Sequence, residues 1–192
     1  MIIKKNKIIL ILIVLFTISN DVFSQQSEKQ LNRILFVFDA SQSMLSRWQS
    51  GRKIDIAKKL LVNMTDSLRN ISNLELGLRV YGHQSNYPPQ DCNDTRLEIN
   101  FLPADISADM IKAKLKMINA KGTTPIAKSL EESAKDFPDN NSRNIIILIT
   151  DGKEECGMDP CSVSRLFAKK GIILKPFVIG IGLDESWKEN FS

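Results

Sequence analysis

The chain has 192 residues, of which 43% are hydrophobic and 25% are charged, and its formal net charge is +4. This composition predicts one globular domain together with a targeting segment. The mild positive balance gives no support to nucleic acid or to an anionic membrane surface as the partner.

The first 24 residues have the pattern of a secretory signal peptide. Basic residues, an apolar run and small-residue positions follow one another: Lys4, Lys5 and Lys7, then Ile8 to Ile18, then Val22 and Ser24. We predict a cut after Ser24 and a flexible lead-in over residues 25–32. A membrane anchor is the weaker alternative, because the apolar run is about eleven residues long and a span needs roughly twenty. Cleavage would remove three lysines and one aspartate and leave a charge of +2.

The stretch from Arg33 to Ser43, RILFVFDASQS, organises the rest of the chain. Its unbroken apolar run predicts a strand buried on both faces of a parallel sheet. Asp39, Ser41 and Ser43 then alternate directly beyond that strand, where open α/β sheets build their ligand sites. A carboxylate and two hydroxyls are suitable ligands for Mg²⁺ or Ca²⁺. The alternative is that Asp39 and Ser41 only end the strand and cap the next helix.

The middle of the chain predicts a helix, a loop and two paired strands. Ser50 and Gly51 are expected to open the helix, whose apolar face is formed by Ile54, Ala57, Leu61, Met64 and Leu68. Leu74 to Tyr81 alternates apolar and polar residues and predicts a strand. A polar loop over residues 82–95 precedes Arg96 to Leu102, which we expect to be an edge strand antiparallel to it.

The second half predicts three helices and two strands. We expect Ser107 to cap the first helix, with Ile106 and Ile111 as a hydrophobic staple. Thr124 and Pro125 are expected to begin the second helix as its N-cap and first residue. The remaining predictions are a buried strand from Asn144 to Thr150, a helix from Asp159 and Pro160 to Gly171, and a last strand from Ile172 to Gly182. This alternation predicts a doubly wound, mostly parallel α/β sheet with right-handed crossovers.

Three cysteines lie in the part of the chain that we expect to be exported, where disulfides can form. Cys156 and Cys161 flank a turn-forming insert, so a local disulfide between them is one possibility. The alternatives left open are that Cys92 pairs with one of these two, stays free or awaits a partner outside this chain. A zinc site is not expected, because His83 is the only histidine.

Three predicted loops end at one edge of the sheet and carry the same oxygen chemistry. Their sequences are Asp39-Ala40-Ser41-Gln42-Ser43, Gly122-Thr123-Thr124-Pro125 and Ile149-Thr150-Asp151-Gly152. In order, spacing and preceding strands they resemble the metal-ion-dependent adhesion site of the von Willebrand factor A (VWA) domain. The resemblance covers about Arg33 to Leu183 and implies a VWA domain over residues 33–192. The family normally has a closing helix near Trp187 to Ser192, so we expect a truncated C-terminal end.

The resemblance implies the metal ligands. Ser41, Ser43 and Thr124 would offer hydroxyls, while Asp39 and Asp151 would act directly or through water. Thr124 is preferred to Thr123 because it directly precedes Pro125 in the family pattern. Mg²⁺ is the expected ion, with Ca²⁺ or Mn²⁺ as alternatives. Held mainly by neutral hydroxyls, it would stay electrophilic and accept an acidic side chain from a protein partner.

Several neighbouring residues have a structural and a functional interpretation. His83 is expected to bond the backbone rather than contact a partner. Trp48 either anchors a partner or packs on the first helix. Glu154 and Glu155 are expected to form a solvated rim rather than a second cation site. Asp91 and Asp94 are interpreted as parts of a polar loop, since their spacing lacks the calcium-loop pattern.

Three functions are weighed from the sequence. The first is a non-enzymatic, cation-dependent protein-binding or adhesion module in the periplasm, the cell envelope or the medium. The second is a metal-dependent phosphoester hydrolase with Asp39 or Ser41 as nucleophile. It is disfavoured because no nucleotide loop is present and His83 is the only histidine that could serve Ser41 as a base. The third is a structural envelope component whose metal only stabilises the domain.

Overall fold

A computed structural model of the protein describes residues 30–49, 51–169 and 175–181. The predicted signal peptide, its cut site and most of the lead-in lie outside these ranges. The predicted end of the last helix at Gly171 and of the last strand at Gly182 also lie outside them. Within the described ranges, no helix is both long enough and apolar enough to cross a membrane.

Strands and helices alternate along most of the described chain. The strands are β1 (Asn32–Asp39), β2 (Arg47–Trp48), β3 (Gly51–Arg52), β4 (Leu74–Tyr81), β5 (Thr95–Pro103), β6 (Arg143–Thr150) and β7 (Lys175–Gly180). The helices are α1 (Lys53–Leu68), α2 (Ala104–Met117), α3 (Ile126–Asp136) and α4 (Pro160–Lys169). A short 3₁₀ helix, Gln42–Leu45, follows β1.

The main sheet has the strand order β5-β4-β1-β6-β7. The central strand β1 pairs in parallel with β4 and β6, and β6 pairs in parallel with β7. β5 pairs antiparallel with β4 at the edge. The predicted doubly wound, mostly parallel sheet with one antiparallel edge strand is therefore confirmed.

Helices cover both faces of this sheet, which explains why β1 is apolar without interruption. Phe36 and Phe38 belong to the core cluster that contains residues of α1 and α2. Leu35 and Val37 belong to the opposite cluster, which contains residues of α3 and α4. Alternate side chains of a strand point to opposite faces, so a strand covered on both sides needs apolar residues at every position.

The register of the strands brings their carboxyl ends level with one another. Asp39 is paired with Tyr81 of β4, and Phe38 is paired with Ile149 of β6. The loops that follow β1 and β6 consequently leave the sheet at the same edge, and β5 begins there because Thr95 pairs with Tyr81.

Three predicted helix starts are wrong. Ser50 and Gly51 do not open α1, because Gly51 pairs with Trp48 in the β2–β3 ribbon and the helix begins at Lys53. α2 begins at Ala104, so Ser107 lies inside it, and Ile106 is 50% exposed rather than stapled. The Ser107 hydroxyl lies 2.9 Å from the carbonyl oxygens of both Leu76 and Leu102, and its one proton can be donated to either. α3 begins at Ile126 with Pro125 as its N-cap, one residue later than predicted.

Among the cysteine pairings that the sequence left open, the structure contains one that joins Cys92 to another loop and not the local bond between Cys156 and Cys161. Cys92 is bonded to Cys156, and Cys161 is free and exposed. The reason is the packing of the β4–β5 connection, which carries Cys92, against the β6–α4 connection. Gln90 donates from Nε2 to the backbone oxygen of Glu155 over 2.6 Å, which brings the residues beside the two cysteines together.

Candidate metal centre

The loop after β1 is held by backbone contacts to two other loops. Ala40 donates its N–H to the carbonyl of Tyr81, and Gln42 donates to the carbonyl of Gly122. Ser41 also forms an isolated parallel bridge with Gly122. Ser41 and Ser43 are therefore positioned by backbone that three separate segments share.

Glycine is required where these segments meet. Gly82 has a φ of +68°, and a Cβ atom there would lie 2.6 Å from the carbonyl oxygen of Thr123 and 2.7 Å from the backbone of Ser41. At Gly122 a Cβ atom would lie 2.7 Å from a carboxylate oxygen of Asp94. Contacts this close leave no room for a side chain, so these glycines let the loops approach one another.

A chain of hydrogen bonds links three of the predicted ligands. The hydroxyl oxygens of Ser41 and Ser43 lie 3.0 Å apart, and Ser43 donates to Asp151 Oδ1 over 2.7 Å. A Cβ atom on Gly152 would lie 3.7 Å from Ser43 Oγ and 3.8 Å from Thr124 Cγ2, which places Thr124 next to the same group. The structure thus brings the second and third predicted loops to the first.

Asp39 lies at the base of this group and is fully buried. Its Oδ1 accepts the N–H of Ser41 over 2.8 Å, and its Oδ2 accepts the hydroxyl of Thr150 over 2.7 Å. Tyr81 in turn donates its hydroxyl to Thr150 over 3.1 Å. Burial raises the pKa of Asp39, and the negative charge of Asp151 raises it further, against the hydrogen bonds from Ser41 and Thr150.

A lysine accompanies the second carboxylate. Lys53, the first residue of α1, lies with its Nζ 2.8 Å from Asp151 Oδ2, and the Asp151 side chain is 0% exposed. Sequence reasoning missed Lys53, as it missed Thr150 and Tyr81. The one available signal was the position of Thr150 beside Asp151, because the other two contacts depend on how the chain folds.

Glu155 is exposed, as the predicted solvated rim requires, and Glu154 is half-buried, but both carboxylates also accept backbone N–H groups. Glu155 accepts the N–H of Thr124 over 3.1 Å, and Glu154 accepts the N–H of Ala127 over 2.6 Å. Glu154 thereby bonds an N–H group in the first turn of α3, which lacks a partner within the helix, and Glu155 bonds the loop that precedes the helix. Glu155 also donates its own N–H to the carbonyl of Thr124, so the Thr124 loop is fixed on both sides.

Two predictions about neighbouring aromatic residues have different outcomes. His83 does not bond the backbone, because its Nε2 lies 2.7 Å from Glu98 Oε1 on the adjacent strand β5. Trp48 is half-buried and packs on the apolar cluster that contains Ile54 and Ala57 of α1. The packing alternative for Trp48 is therefore the one that the structure supports.

The two aspartates of the β4–β5 connection hold the loop together. Asp94 is 1% exposed and accepts the N–H groups of Gln84 and Ser85. Asp91 accepts the hydroxyl of Ser85 over 2.7 Å and the N–H of Asn93 over 2.9 Å. Both carboxylates accept hydrogen bonds within the loop, which agrees with their interpretation as parts of a polar loop.

The chemistry of the predicted donor set fits a hard divalent cation. Asp39 and Asp151 are two buried carboxylates with one nearby ammonium group, and the serine and threonine hydroxyls add neutral oxygen donors. In the described part of the chain, no group of three or more His, Cys, Asp or Glu side chains is placed to hold a metal ion. The centre therefore depends on the hydroxyls, and that these residues bind a metal stays a prediction.

The fold and the site define a class of protein: a doubly wound α/β domain whose ligand loops lie at the carboxyl edge of the sheet. Within that class, the chain belongs to the von Willebrand factor type A domain family, which it matches over residues 33–190. The resemblance to the VWA family is thus confirmed, and the metal-ion-dependent adhesion site stays a prediction.

Three similar proteins show how the chain relates to others. The uncharacterized protein YwmD of Bacillus subtilis (strain 168) is 32% identical over 182 residues, 91% of this chain and 80% of the relative. The solved structure of an aerotolerance-related membrane protein from Bacteroides fragilis NCTC 9343 has a TM-score of 0.62 and 22% identity, covering 80% of this chain and 69% of that one. The pilus adhesin SpaC from Lactobacillus rhamnosus GG has a TM-score of 0.56 and 18% identity. The match covers 67% of this chain and 16% of SpaC. At these identities the two solved structures show a shared fold.

Proposed function

We propose that this VWA domain binds Mg²⁺ through Asp39, Ser41, Ser43, Thr124 and Asp151 and uses the ion to bind a protein partner. One observation carries the proposal. Oxygen donors from three separate loops meet at the carboxyl edge of the sheet, where Ser43 contacts both Ser41 and Asp151.

Each residue of the proposed metal site would have a distinct role. Ser41, Ser43 and Thr124 would hold the ion with uncharged oxygens, and Asp39 would orient the loop through its bond to the Ser41 N–H. Thr150 and Tyr81 keep Asp39 in place, and Asp151 supplies the second carboxylate. When bound, the ion would supply an electrophilic position that accepts a carboxylate from the partner.

The similar proteins are in keeping with this proposal. SpaC is a pilus adhesin, and the Bacteroides fragilis protein is an aerotolerance-related membrane protein. A domain exposed outside the cytoplasm, acting in adhesion or in envelope protein assembly, is the function that we infer by this analogy.

Export is part of the proposal and rests on the N-terminal pattern. We expect the mature protein to begin at Gln25 in the periplasm, the cell envelope or the medium. Intact mass measured on protein recovered from an envelope fraction tests the cut, and a mass that still includes residues 1–24 would contradict it.

The alternative of a phosphoester hydrolase has no observation in its favour. Both oxygens of Asp39 accept hydrogen bonds from the protein, and Asp39 is fully buried. His83 is bonded to Glu98, so it is not paired with Ser41 as a base. Neither arrangement presents an activated nucleophile.

Affinity capture from envelope proteins of the source organism tests the proposal. The immobilised protein is expected to retain a partner in Mg²⁺ and to release it in EDTA, and Asp151→Ala is expected to retain none. Asp105→Asn is the matched control, because Asp105 is exposed at the start of α2, at the opposite edge of the sheet. Equal recovery by all variants in both buffers would contradict metal-dependent binding. A metal that raises the melting temperature while no bound protein depends on it would favour the purely stabilising role instead.

A further inference from the structure

A cavity of about 250 Å³ with a lining of mixed polarity opens directly beside the candidate metal centre. It is lined by Gln42, Ser43, Tyr87, Gly122 and Glu155. Ser43 lines the cavity and is also a predicted metal ligand. A chemical group in the cavity would therefore lie next to a group bound to the predicted metal. The volume is below the roughly 300–1,000 Å³ of small-molecule pockets and suits a single long side chain.

The walls of the cavity are held by contacts between three loops. Tyr87 donates its N–H to the carbonyl of Lys121 over 2.9 Å, and Gln42 donates to the carbonyl of Gly122 over 2.8 Å. The Glu155 backbone is fixed by Gln90 and by Thr124, and the Cys92–Cys156 disulfide follows immediately. Because these contacts are present in the protein alone, a ligand would have little ordering to impose on the walls.

The chemistry of the walls selects for positive charge. Glu155 is the one lining residue with a formal charge, and it is exposed. Tyr87 is 45% exposed and contributes an aromatic ring to the lining, and Gln42 adds an amide. A carboxylate beside an aromatic ring is a favourable environment for a guanidinium or ammonium group, with the planar guanidinium favoured.

We propose that this cavity binds an arginine or lysine side chain of the partner whose acidic side chain reaches the metal. The proposal rests on the proposed function, because it adds a second contact to the same binding event. An extended chain advances about 3.3 Å per residue, so the basic and acidic residues of the partner would lie within about three residues of each other. The recognised element would thus be a short segment of mixed charge.

Selection from a phage-displayed random heptapeptide library tests this inference. The library is passed over the immobilised protein in Mg²⁺ and in EDTA, and the selected peptides are sequenced. On the wild type we expect Asp or Glu to be enriched in Mg²⁺ only, with Arg or Lys enriched within three positions. On Glu155→Gln the basic residues should lose their enrichment while the acidic residues keep theirs.

The variants separate charge from structure. Glu155→Gln keeps an oxygen that can accept the Thr124 N–H, and Glu154→Gln is the matched control, since Glu154 bonds the Ala127 N–H and does not line the cavity. Tyr87→Leu removes the aromatic face, whereas Tyr87→Phe keeps it. For a selected peptide we expect the dissociation constant to rise roughly three- to tenfold with Glu155→Gln and with Tyr87→Leu, and to change little with Glu154→Gln and Tyr87→Phe.

The possible failures are distinguishable. Basic residues enriched equally on the wild type and on Glu155→Gln, or on neither, would overturn the cavity proposal while Mg²⁺-dependent acidic enrichment leaves the proposed function standing. Absence of Mg²⁺-dependent acidic enrichment on the wild type would overturn both.

Discussion

Lys53 places a positive charge against the candidate metal centre. Its ammonium group lies 2.8 Å from Asp151 Oδ2, and its side chain is 15% exposed. A fixed charge in such a place offsets one of the two carboxylates and competes with any cation for Asp151. It would weaken ion binding and leave a bound ion more electrophilic toward a partner.

Replacing Lys53 by Met is therefore expected to strengthen Mg²⁺ binding on the order of tenfold, because it removes a charge repulsion of about 1.4 kcal/mol at a partly buried site. Isothermal titration calorimetry measures the change. Lys53→Arg keeps the charge and should stay near the wild type. A weaker affinity in Lys53→Met would show instead that the lysine orients Asp151 for the metal.

The contrast between Asp151 and Lys53 shows what the sequence could predict at this scale. The five metal ligands could be predicted because each follows a recognisable strand or precedes a recognisable helix. They are Asp39, Ser41, Ser43, Thr124 and Asp151. Lys53 and Tyr81 have no such local signal, since one lies in a helix and the other in a strand. Their proximity to the site follows from strand register and helix packing, which the residue pattern does not encode locally.

Two connections between elements are joined covalently near the site. The Cys92–Cys156 bond closes a sequence separation of 64 residues between the β4–β5 and β6–α4 connections. Sequence spacing favours the pairing of Cys156 with Cys161, but spacing alone does not show that the β4–β5 connection folds over this edge of the sheet. The chain-entropy argument gives a stabilisation of about 4 kcal/mol for a loop of this length.

Loss of this disulfide should lower thermal stability markedly. We expect Cys92→Ser to reduce the melting temperature, because it releases a long loop in the unfolded chain. Cys161→Ser should leave the melting temperature unchanged, since Cys161 is free and exposed. Scanning calorimetry under oxidising and reducing conditions measures both. A large effect of Cys161→Ser with little effect of Cys92→Ser would contradict the pairing.

Glu98 ties strand β5 to helix α2 and to the loop that carries His83. Its carboxylate contacts Lys114, His83 and Arg96, and its side chain is 3% exposed. Burial alone would raise the pKa of Glu98, but the hydrogen bonds from Lys114, His83 and Arg96 outweigh burial and lower the pKa to about 2.

This lowered pKa predicts a pH-dependent stability. In the unfolded chain the Glu98 pKa returns to about 4.3, so the folded state gains stability above that pH and loses it as the pH falls toward 2. Glu98→Gln should therefore be less stable than the wild type at pH 7, by on the order of 3 kcal/mol, with a difference that shrinks below pH 4. Urea unfolding at several pH values measures this. Glu131→Gln on α3 is the control, and a difference that did not depend on pH would contradict the assignment.

Helix boundaries show where local signals were overridden. Ser107 has the composition of a helix cap, yet its hydroxyl bonds the strand carbonyls of Leu76 and Leu102. Ser50 and Gly51 precede α1 in the sequence, but Gly51 pairs in the β2–β3 ribbon. At Ser107 a contact with a distant strand, and at Gly51 a local strand pairing, used the residue that propensity would have assigned to the helix end.

Across the whole molecule, the class of fold was predictable because two strands are covered on both faces. Ile34 to Phe38 and Ile145 to Ile149 are continuous apolar runs, which few arrangements other than a central parallel sheet can bury. The pattern of apolar residues did not predict how closely the loops pack against one another at Gly82 and Gly122. The shape of the site depends on that packing.

The central claim is that this packing makes one cation site from loops that are far apart in sequence. Isothermal titration of Mg²⁺ into the metal-free protein tests it most directly, comparing the wild type with Ser43→Ala, Asp151→Asn and the opposite-edge control Asp105→Asn. We expect one Mg²⁺ per chain, an affinity at least about tenfold weaker in Ser43→Ala and Asp151→Asn, and no change in Asp105→Asn. Equal affinities in all four proteins would show that the ion does not bind where these oxygens meet, and would contradict the account.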